Sequence, residues 1–581
     1  MTLRIVRRVC HAAAPSGGRL HPVLERVYAA RGVGSEAELD HSLVRLLPVG
    51  TLEGIEAAAG LLLAHRSRRV LVIGDFDADG ATSCALVVRA LRSCGFAAVD
   101  FLVPNRFEFG YGLTPEIVAL AAARAPSLIV TVDNGISSNA GVAAARERGM
   151  DVLITDHHLP GAELPDANVI VNPNLPGSRF ASRSLAGVGV AFYVMAAVRR
   201  ALDAAGLTGA PTPGVAELLD LVALGTVADV VPLDANNRVL VAQGLRRIRA
   251  GRCVPGIRAL LAIAGRPASD LTAADLAVGV APRLNAAGRI DDMTIGIECL
   301  LADDPACAQR LAARLDALNE ERRAIEARMQ EEALHAVRGL EDSVASAVQR
   351  SGVCLFDLSW HQGVVGLVAS RVKERLRRPV IAFAAADGVS LRGSARSIEG
   401  IHIRDVLDSI AARQPGLIQR FGGHAMAAGL TLERVRLDEF ARAFDAEVGR
   451  MLPAAAARDA VETDGELAVG EIALTTAEAL RAGGPWGQAF PEPSFDGVFG
   501  VRSARLIGDR HLKMWVEPAS SGRSFDAIAF NHLEGGAPFV PPAGSLQLVY
   551  RLEVNEYQGE RRLQLLVDHL LPADPLPSTA R

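Results

Sequence analysis

Asp75, Asp77 and Asp79 stand at alternate positions in Gly74-Asp75-Phe76-Asp77-Ala78-Asp79-Gly80, directly behind the apolar run Leu71-Val72-Ile73. Two more apolar runs end in the same way. Leu128 to Val132 delivers Asp133-Asn134-Gly135, and Val152 to Thr155 delivers Asp156-His157-His158. A further acid, Asp229, lies within the apolar segment Gly225 to Leu233. Carboxylates and imidazoles gathered on one edge repel one another unless cations hold them together, so the pattern predicts a metal-dependent enzyme.

Each position has a reading of its own. Alternation along a continuing strand puts Asp75 and Asp77 on one face, where both carboxylates converge as metal ligands. Asp79 reads either as a third carboxylate of the site or as the cap of a helix beginning near Ala81. Asp133 is the candidate bridging ligand, because one carboxylate can serve two cations about 3.5–4 Å apart. The competing reading is a turn-forming Asp before Asn-Gly. Consecutive side chains diverge, which assigns His157 to metal and His158 to the substrate phosphate or the leaving oxygen. An ionised Asp229 in apolar surroundings is costly unless paired or metal-bound, which favours a ligand there too.

These residues need a sheet whose C-terminal edge gathers them. Strand-like runs alternating with Ala-rich helical stretches from 46 to 300 predict a doubly wound parallel α/β domain. Residues 1–45 read as a Gly- and Ser-punctuated arm. Between 301 and 340, Ala306 to Val337 carries Leu311, Leu315, Leu318, Ile325 and Met329 at three- or four-residue steps, the pattern of one long connecting helix. At 1.5 Å per residue, about 30 residues reach roughly 45 Å, enough to bridge two domains across a cleft. Residues 341–452 predict a second α/β unit, and Pro453 to Asp459 a linker. The stretch 460–581 has short alternating runs (Leu512 to Val516, Phe525 to Phe530, Ser545 to Val554, Arg562 to Val567) and predicts a small β-barrel.

Composition narrows the class. The chain has 581 residues, half of them hydrophobic, and a formal charge of −5. That balance excludes a wholly cationic nucleic-acid coat while leaving local basic patches open. Seven cysteines without a CxxC pair suggest neither a zinc knuckle nor a disulfide framework, and read as reduced thiols in a cytoplasmic protein. Neither a signal peptide nor a membrane span is expected.

Asp-Phe-Asp-Ala-Asp-Gly, Val-Asp-Asn-Gly, Thr-Asp-His-His and Ala-Asp-Val-Val-Pro-Leu, in this order, resemble the four motifs of the DHH phosphoesterase superfamily. Gly422-Gly423-His424 resembles its companion DHHA1 domain. Asn105-Arg106-Phe107, Gly110-Tyr111-Gly112, Leu185 to Gly189 and Pro282 to Arg289 narrow the resemblance to the bacterial branch of single-strand-specific 5′→3′ DNA exonucleases ending in an OB fold. The resemblance implies two divalent cations, Mn2+ or Mg2+, in a cleft between the two α/β domains, with Asp75, Asp77, Asp133, His157 and Asp229 as ligands. It departs from the pyrophosphatase-like members at Leu71, where those place a metal-binding His.

The expected reaction is in-line hydrolysis of a phosphodiester to 5′-mononucleotides, with His158, Asp133 and Asp79 as catalytic candidates. The 5′ phosphate is expected against Arg392, Ser394, Arg396, Gly422, Gly423 and His424, and the strand near the metals against Arg106, Arg283, Asn285 and Arg289. His361 reads either as a cleft residue or as a helix cap. Of Phe525, Phe530, Trp515 and Tyr557, one or two are expected to face DNA in the barrel. The family implies a single-strand-binding protein and a RecQ-type helicase as partners of a monomeric, cytoplasmic enzyme acting in recombination and repair. Two rivals are a phosphodiesterase for short oligonucleotides or cyclic dinucleotides, and a replication scaffold that has lost its metals. The terminal barrel counts against the first, and the intact motifs against the second.

Overall fold

The computed structural model describes residues 4–9, 18–105, 112–161, 163–207, 214–343, 350–398, 400–423, 425–451, 460–508, 510–518, 521–532, 544–557 and 559–573. The region expected to be a plain arm is anchored to the far end of the chain. Strand β1 (Arg4–Arg7) pairs in parallel with Ala460–Thr463. Helix Pro22–Ala30 buries Val23, Leu24, Val27 and Tyr28, and the Tyr28 hydroxyl donates to Gly483 O at 2.6 Å. Arg31 forks onto Asp464 at 2.6 and 3.0 Å. Sparse apolar spacing hid this packing, because its partners lie more than four hundred residues away.

Val70-Leu71-Val72-Ile73 and Leu128-Ile129-Val130 are fully buried on both faces, which a sheet allows only when helices cover both its sides. They belong to β2 (Arg69–Gly74) and β4 (Leu128–Val132), joined by β3 (Ala98–Leu102), β5 (Asp151–Thr155) and β6 (Val169–Val171) in the all-parallel order β3-β2-β4-β5-β6. Val70, Val72 and Val130 face one core, and Leu71, Ile73 and Ile129 the other. Leu71 therefore points into apolar packing. The expected alternation to residue 300 stops at Val171, and every described element from Gly187 to Leu301 is a helix. The Leu219–Ala228 run is a helix, buried from Leu219 to Thr226, and its Asp220 is buried with them.

Helix Pro305–Ser343 spans 39 residues, longer than the expected Ala306 to Val337, and reaches about 58 Å. Its Ala312, Leu315 and Leu318 enter the first core, while Met329 and Ala333 pack with Val353, Trp360 and Val365 of the next unit. That unit is a mixed sheet of β7 (Val353–Phe356), β8 (Val380–Ala385), β9 (Ser390–Arg396), β10 (Arg420–Gly423) and β11 (Ala427–Glu433), in the order β10-β11-β9-β8-β7.

The expected linker Pro453 to Asp459 lies outside the described residues. After β12 (Ala460–Thr463) comes a closed barrel of β13 (Phe495–Ile507), β14 (His511–Pro518), β15 (Phe525–Ala529), β16 (Ser545–Tyr557) and β17 (Glu560–Pro572). Strand β13 is absent from the sequence reading because Gly497 and Gly500 interrupt its alternation. Among the described residues no single helix is long and apolar enough to cross a membrane.

Candidate metal centre and its cleft

Strand β2 ends at Gly74, so Asp75 and Asp77 do not share a strand face as expected. Asp77 is itself the cap of helix Ala78–Ser93 and accepts from Gly80 N at 3.0 Å. Gly80 must be glycine, since a Cβ there would lie 2.6 Å from Asp75 O. Asn285 accepts from Ala78 N at 2.8 Å, satisfying a second N–H at this helix start. Gly288 lets its helix press on the loop; a Cβ would stand 1.7 Å from Phe76 O.

Asp79 also caps, but it caps a different helix. Its two oxygens accept from Gly187 N at 2.6 Å and Val188 N at 3.0 Å, at the start of helix Gly187–Ala204. Gly187 in turn abuts Asp133, whose Cβ would be 2.6 Å from an added one. Asp133 follows β4 in a left-handed conformation at φ 62°, which costs a non-glycine residue of order 1–3 kcal/mol and marks a site where geometry overrides comfort. Asp229 closes the far end of helix Leu219–Ala228 rather than a strand.

The ligand atoms converge. His157 Nε2 lies 3.1 Å from Asp133 Oδ1 and 3.5 Å from Asp229 Oδ2. His157 Nε2 and Asp229 Oδ2 are both buried without a hydrogen-bond partner. Donor atoms of Asp75, Asp77 and Asp133 form one group within 4.8 Å, and those of Asp79, His157 and Asp229 another. Asp133 also groups with His157 and His158, so it stands between the two clusters. Burial, then repulsion from neighbouring acids, pushes the Asp79 and Asp133 carboxyls well above the usual range. Burial, with repulsion from Asp77, raises Asp229 against the pull of the histidines. Burial lowers His157, leaving its ring neutral and its lone pair available. Oxygen and imidazole donors crowded in this way fit hard divalent cations.

Asp156 works differently. It accepts from His157 N at 2.7 Å, His158 N at 3.1 Å and Ile136 N at 2.9 Å, and holds His158 Nδ1 at 2.7 Å. Burial opposes charge on His158, but the hydrogen bond and charge of Asp156 outweigh it and raise the imidazole to about 9.

Opposite lies a cleft of about 810 Å³. Asp156, His158, Phe76 and Arg289 line one wall; Ser394, Arg396, Gly422 and Gly423 line the other, with Arg392. Arg396 donates to Ser394 Oγ at 2.9 Å, and Gly366 leaves them room, since a Cβ there would lie 2.7 Å from the guanidinium. Arg289 donates to Gly363 O at 3.2 Å across the two units. Two expected strand contacts are engaged elsewhere. Arg283 donates to Asp316 at 2.8 Å and to Gly279 O, tying down the long helix, and Asn285 holds the metal loop. His361 closes the turn before helix Val365–Leu376 without capping that helix: its Nδ1 accepts from Gly363 N at 3.1 Å. Arg106 and His424 lie outside the described residues. Arg404, Arg420 and Gln362 also line the cleft, and only their tertiary placement reveals it. In the barrel Phe525 is buried, whereas Trp515 and Phe530 are half exposed; the Tyr557 side chain lies outside the description.

Three domain families match the chain: the DHH family N-terminal domain over residues 69–226, the DHHA1 domain over 345–450 and the RecJ OB domain over 463–569. The chain is 55% identical over 562 residues to the single-stranded-DNA-specific exonuclease RecJ of Dickeya dadantii, covering 95% of this chain and 96% of that protein. It is 51% identical over 577 residues to the Escherichia coli protein of that name, covering 98% and 99%. The crystal structure of Thermus thermophilus RecJ in complex with Mn2+ superposes with a TM-score of 0.79 at 30% identity, over 98% of this chain and 80% of that one. The Mg2+ complex gives 0.74 at 28%, over 98% and 79%.

Proposed function

The chain belongs to the RecJ family of single-stranded-DNA-specific exonucleases, and on that premise we propose how its residues carry out metal-dependent digestion of a single strand, taken from the 5′ end. Two divalent cations, Mn2+ or Mg2+, held by Asp75, Asp77, Asp133, His157 and Asp229, supply activation of water and neutralisation of phosphate charge. Asp133 groups with Asp75 and Asp77 on one side and with His157 and His158 on the other, and would serve as a ligand for either cation. Asp79 holds the start of helix Gly187–Ala204 against Asp133, so its part is positioning. Imidazolium His158, oriented by Asp156, stabilises or protonates the 3′ oxygen as it departs. Arg396, Ser394, Gly422, Gly423 and His424 grip the 5′ phosphate, with Arg392 beside them, and Arg289 and Arg106 steer the strand.

The single observation that carries this reading is the buried meeting of His157 Nε2 and Asp229 Oδ2 with the aspartates, across a cleft from Arg396 and Ser394. The strand's 3′ continuation is assigned to a groove of about 380 Å³ between Val227, Val230, Val278 and the barrel side at Trp486. Arg246, Arg249 and Arg481 line this groove, Arg249 also donating to Leu271 O at 2.6 and 2.8 Å and Arg481 to Asp270 O at 2.7 Å. A single-strand-binding protein and a RecQ-type helicase are the partners that would expose such ends to a monomeric, cytoplasmic enzyme in recombination and repair.

A 5′-labelled and a 3′-labelled single strand, incubated with protein and manganese, test the reading. Immediate release of the 5′ label as mononucleotide, abolished by D133A or chelator, supports it. Early loss of the 3′ label, or an active D133A, refutes it.

A further inference from the structure

The cleft holds more positive charge than one terminal phosphate uses. A phosphate monoester carries about −1.5 to −2 charge, whereas Arg392, Arg396, Arg404 and Arg420 all line this wall. Arg404 meets Asp408 at 3.9 Å, and no carboxylate pairs with Arg420 among the described residues.

Strand register arranges these cations in rows. Arg392, Ser394 and Arg396 alternate with buried Leu391, Gly393 and Ala395, so they share the face turned to the cleft. Across the sheet, Ser394 is level with Gly429 and Gly429 with Gly422. A Cβ at Gly422 or Gly429 would meet nothing within 4 Å, so this row is an open backbone floor. Two residues along, Arg392 is level with Thr431 and Thr431 with Arg420. Two residues of strand span about 6.6–6.8 Å. That length is of the order of the spacing between successive phosphates of an extended single strand, and too long for the two phosphorus atoms of a pyrophosphate.

We propose that Arg392, Thr431 and Arg420 form a second phosphate subsite one nucleotide away from the Ser394–Arg396 grip, so that the cleft takes a 5′ end in two registers. This rests on the nuclease reading above. With the terminal phosphate on one row, a single nucleotide lies between it and the metal centre; on the other row, two do. In either register water adds to the phosphorus of the linkage at the metal centre and the bond to the 3′ oxygen breaks. The released piece leaves with a 3′ hydroxyl, and the remaining strand keeps the new 5′ phosphate. The products are a mononucleotide from one register and a dinucleotide from the other.

The test uses a 5′-phosphorylated single strand whose first linkage carries a methylene in place of the bridging 3′ oxygen, which keeps the charge but cannot be cut. With manganese, the wild-type protein releases the uncut dinucleotide and continues, and on unmodified strand it yields both product lengths early in the reaction. R420A loses one of the two lengths by at least about tenfold, the loss of one charge-assisted contact. R420K retains both, which separates a charge requirement from a folding defect. Wild-type protein that digests unmodified strand but stalls at the blocked linkage overturns the proposal, as does an unchanged product ratio in R420A. Failure to digest even the unmodified strand refutes the nuclease reading instead.

Discussion

Asn285 separates two accounts of the Pro282 to Arg289 segment: contact with the strand, or support of the metal loop. Its Oδ1 accepts from Ala78 N at 2.8 Å, and Ala78 is only 1% exposed. Truncation in N285A leaves that N–H buried and unsatisfied, a cost of about 1–3 kcal/mol. The helix start next to Asp77 bears this cost directly, so it appears as weakened metal binding. At 1.4 kcal/mol per factor of ten, manganese affinity falls roughly 5- to 150-fold, in line with the 10–100-fold typical of groups that orient metal ligands. Manganese titration by electron paramagnetic resonance gives the affinity, and digestion of a labelled strand at saturating manganese gives KM. The expected result is a weakened metal constant with KM near wild type. Wild-type manganese affinity combined with a raised KM would show that Asn285 touches DNA, and would refute the account.

G187A forces a Cβ to 2.6 Å from that of Asp133; displacing Asp133 by even about 1 Å should cost on the order of 100-fold in kcat with the fold retained by circular dichroism. Replacing Arg246, Arg249 and Arg481 together with Ala should reduce the slope of log affinity against log salt by about 2 for a long strand, at about 0.7 per phosphate contact, and leave a trinucleotide's slope unchanged; equal slopes on the long strand remove the groove from the DNA path. The carboxyls of Asp79, Asp133 and Asp229 are raised in the folded, metal-free protein, so the unfolded state ionises first as pH rises above about 4. Chelated protein should therefore lose thermal stability from pH 4.5 toward 7.5, and manganese should abolish that slope; a chelated protein that gains stability over this window contradicts the crowding of these acids.

Chemistry was legible where local pattern decides it. Short β-branched runs ending in acids marked β2, β4 and β5, and with them the edge where Asp75, Asp133 and His157 meet. Where strand β2 stops was not legible, because Gly80 against Asp75 and Asn285 on Ala78 determine it, the latter from two hundred residues away. Alternation alone therefore carried Asp77 onto a strand that had already ended. Arginines were the least readable type. Arg283 and Arg420 look alike in sequence, yet one is tied to Asp316 and the other lines the cleft. The expected alternation of strands and helices ran on to residue 300, yet helix Leu219–Ala228 is buried from Leu219 to Thr226, and a helix covered on every side carries no two-sided pattern to mark it.

The pairing of β1 with Ala460–Thr463 has a consequence for biosynthesis. Arg7 and its partner Asp496 lie 489 positions apart, so at 5–20 residues per second the earlier residue waits about 25–100 s on the ribosome for the later one. Throughout that interval β1 has no mate, while the parallel sheet and the segment from His41 to Leu62 that packs beside it can already have formed. The β1–β12 pair therefore closes only after the parallel sheet, the long helix and the second α/β unit have all been made.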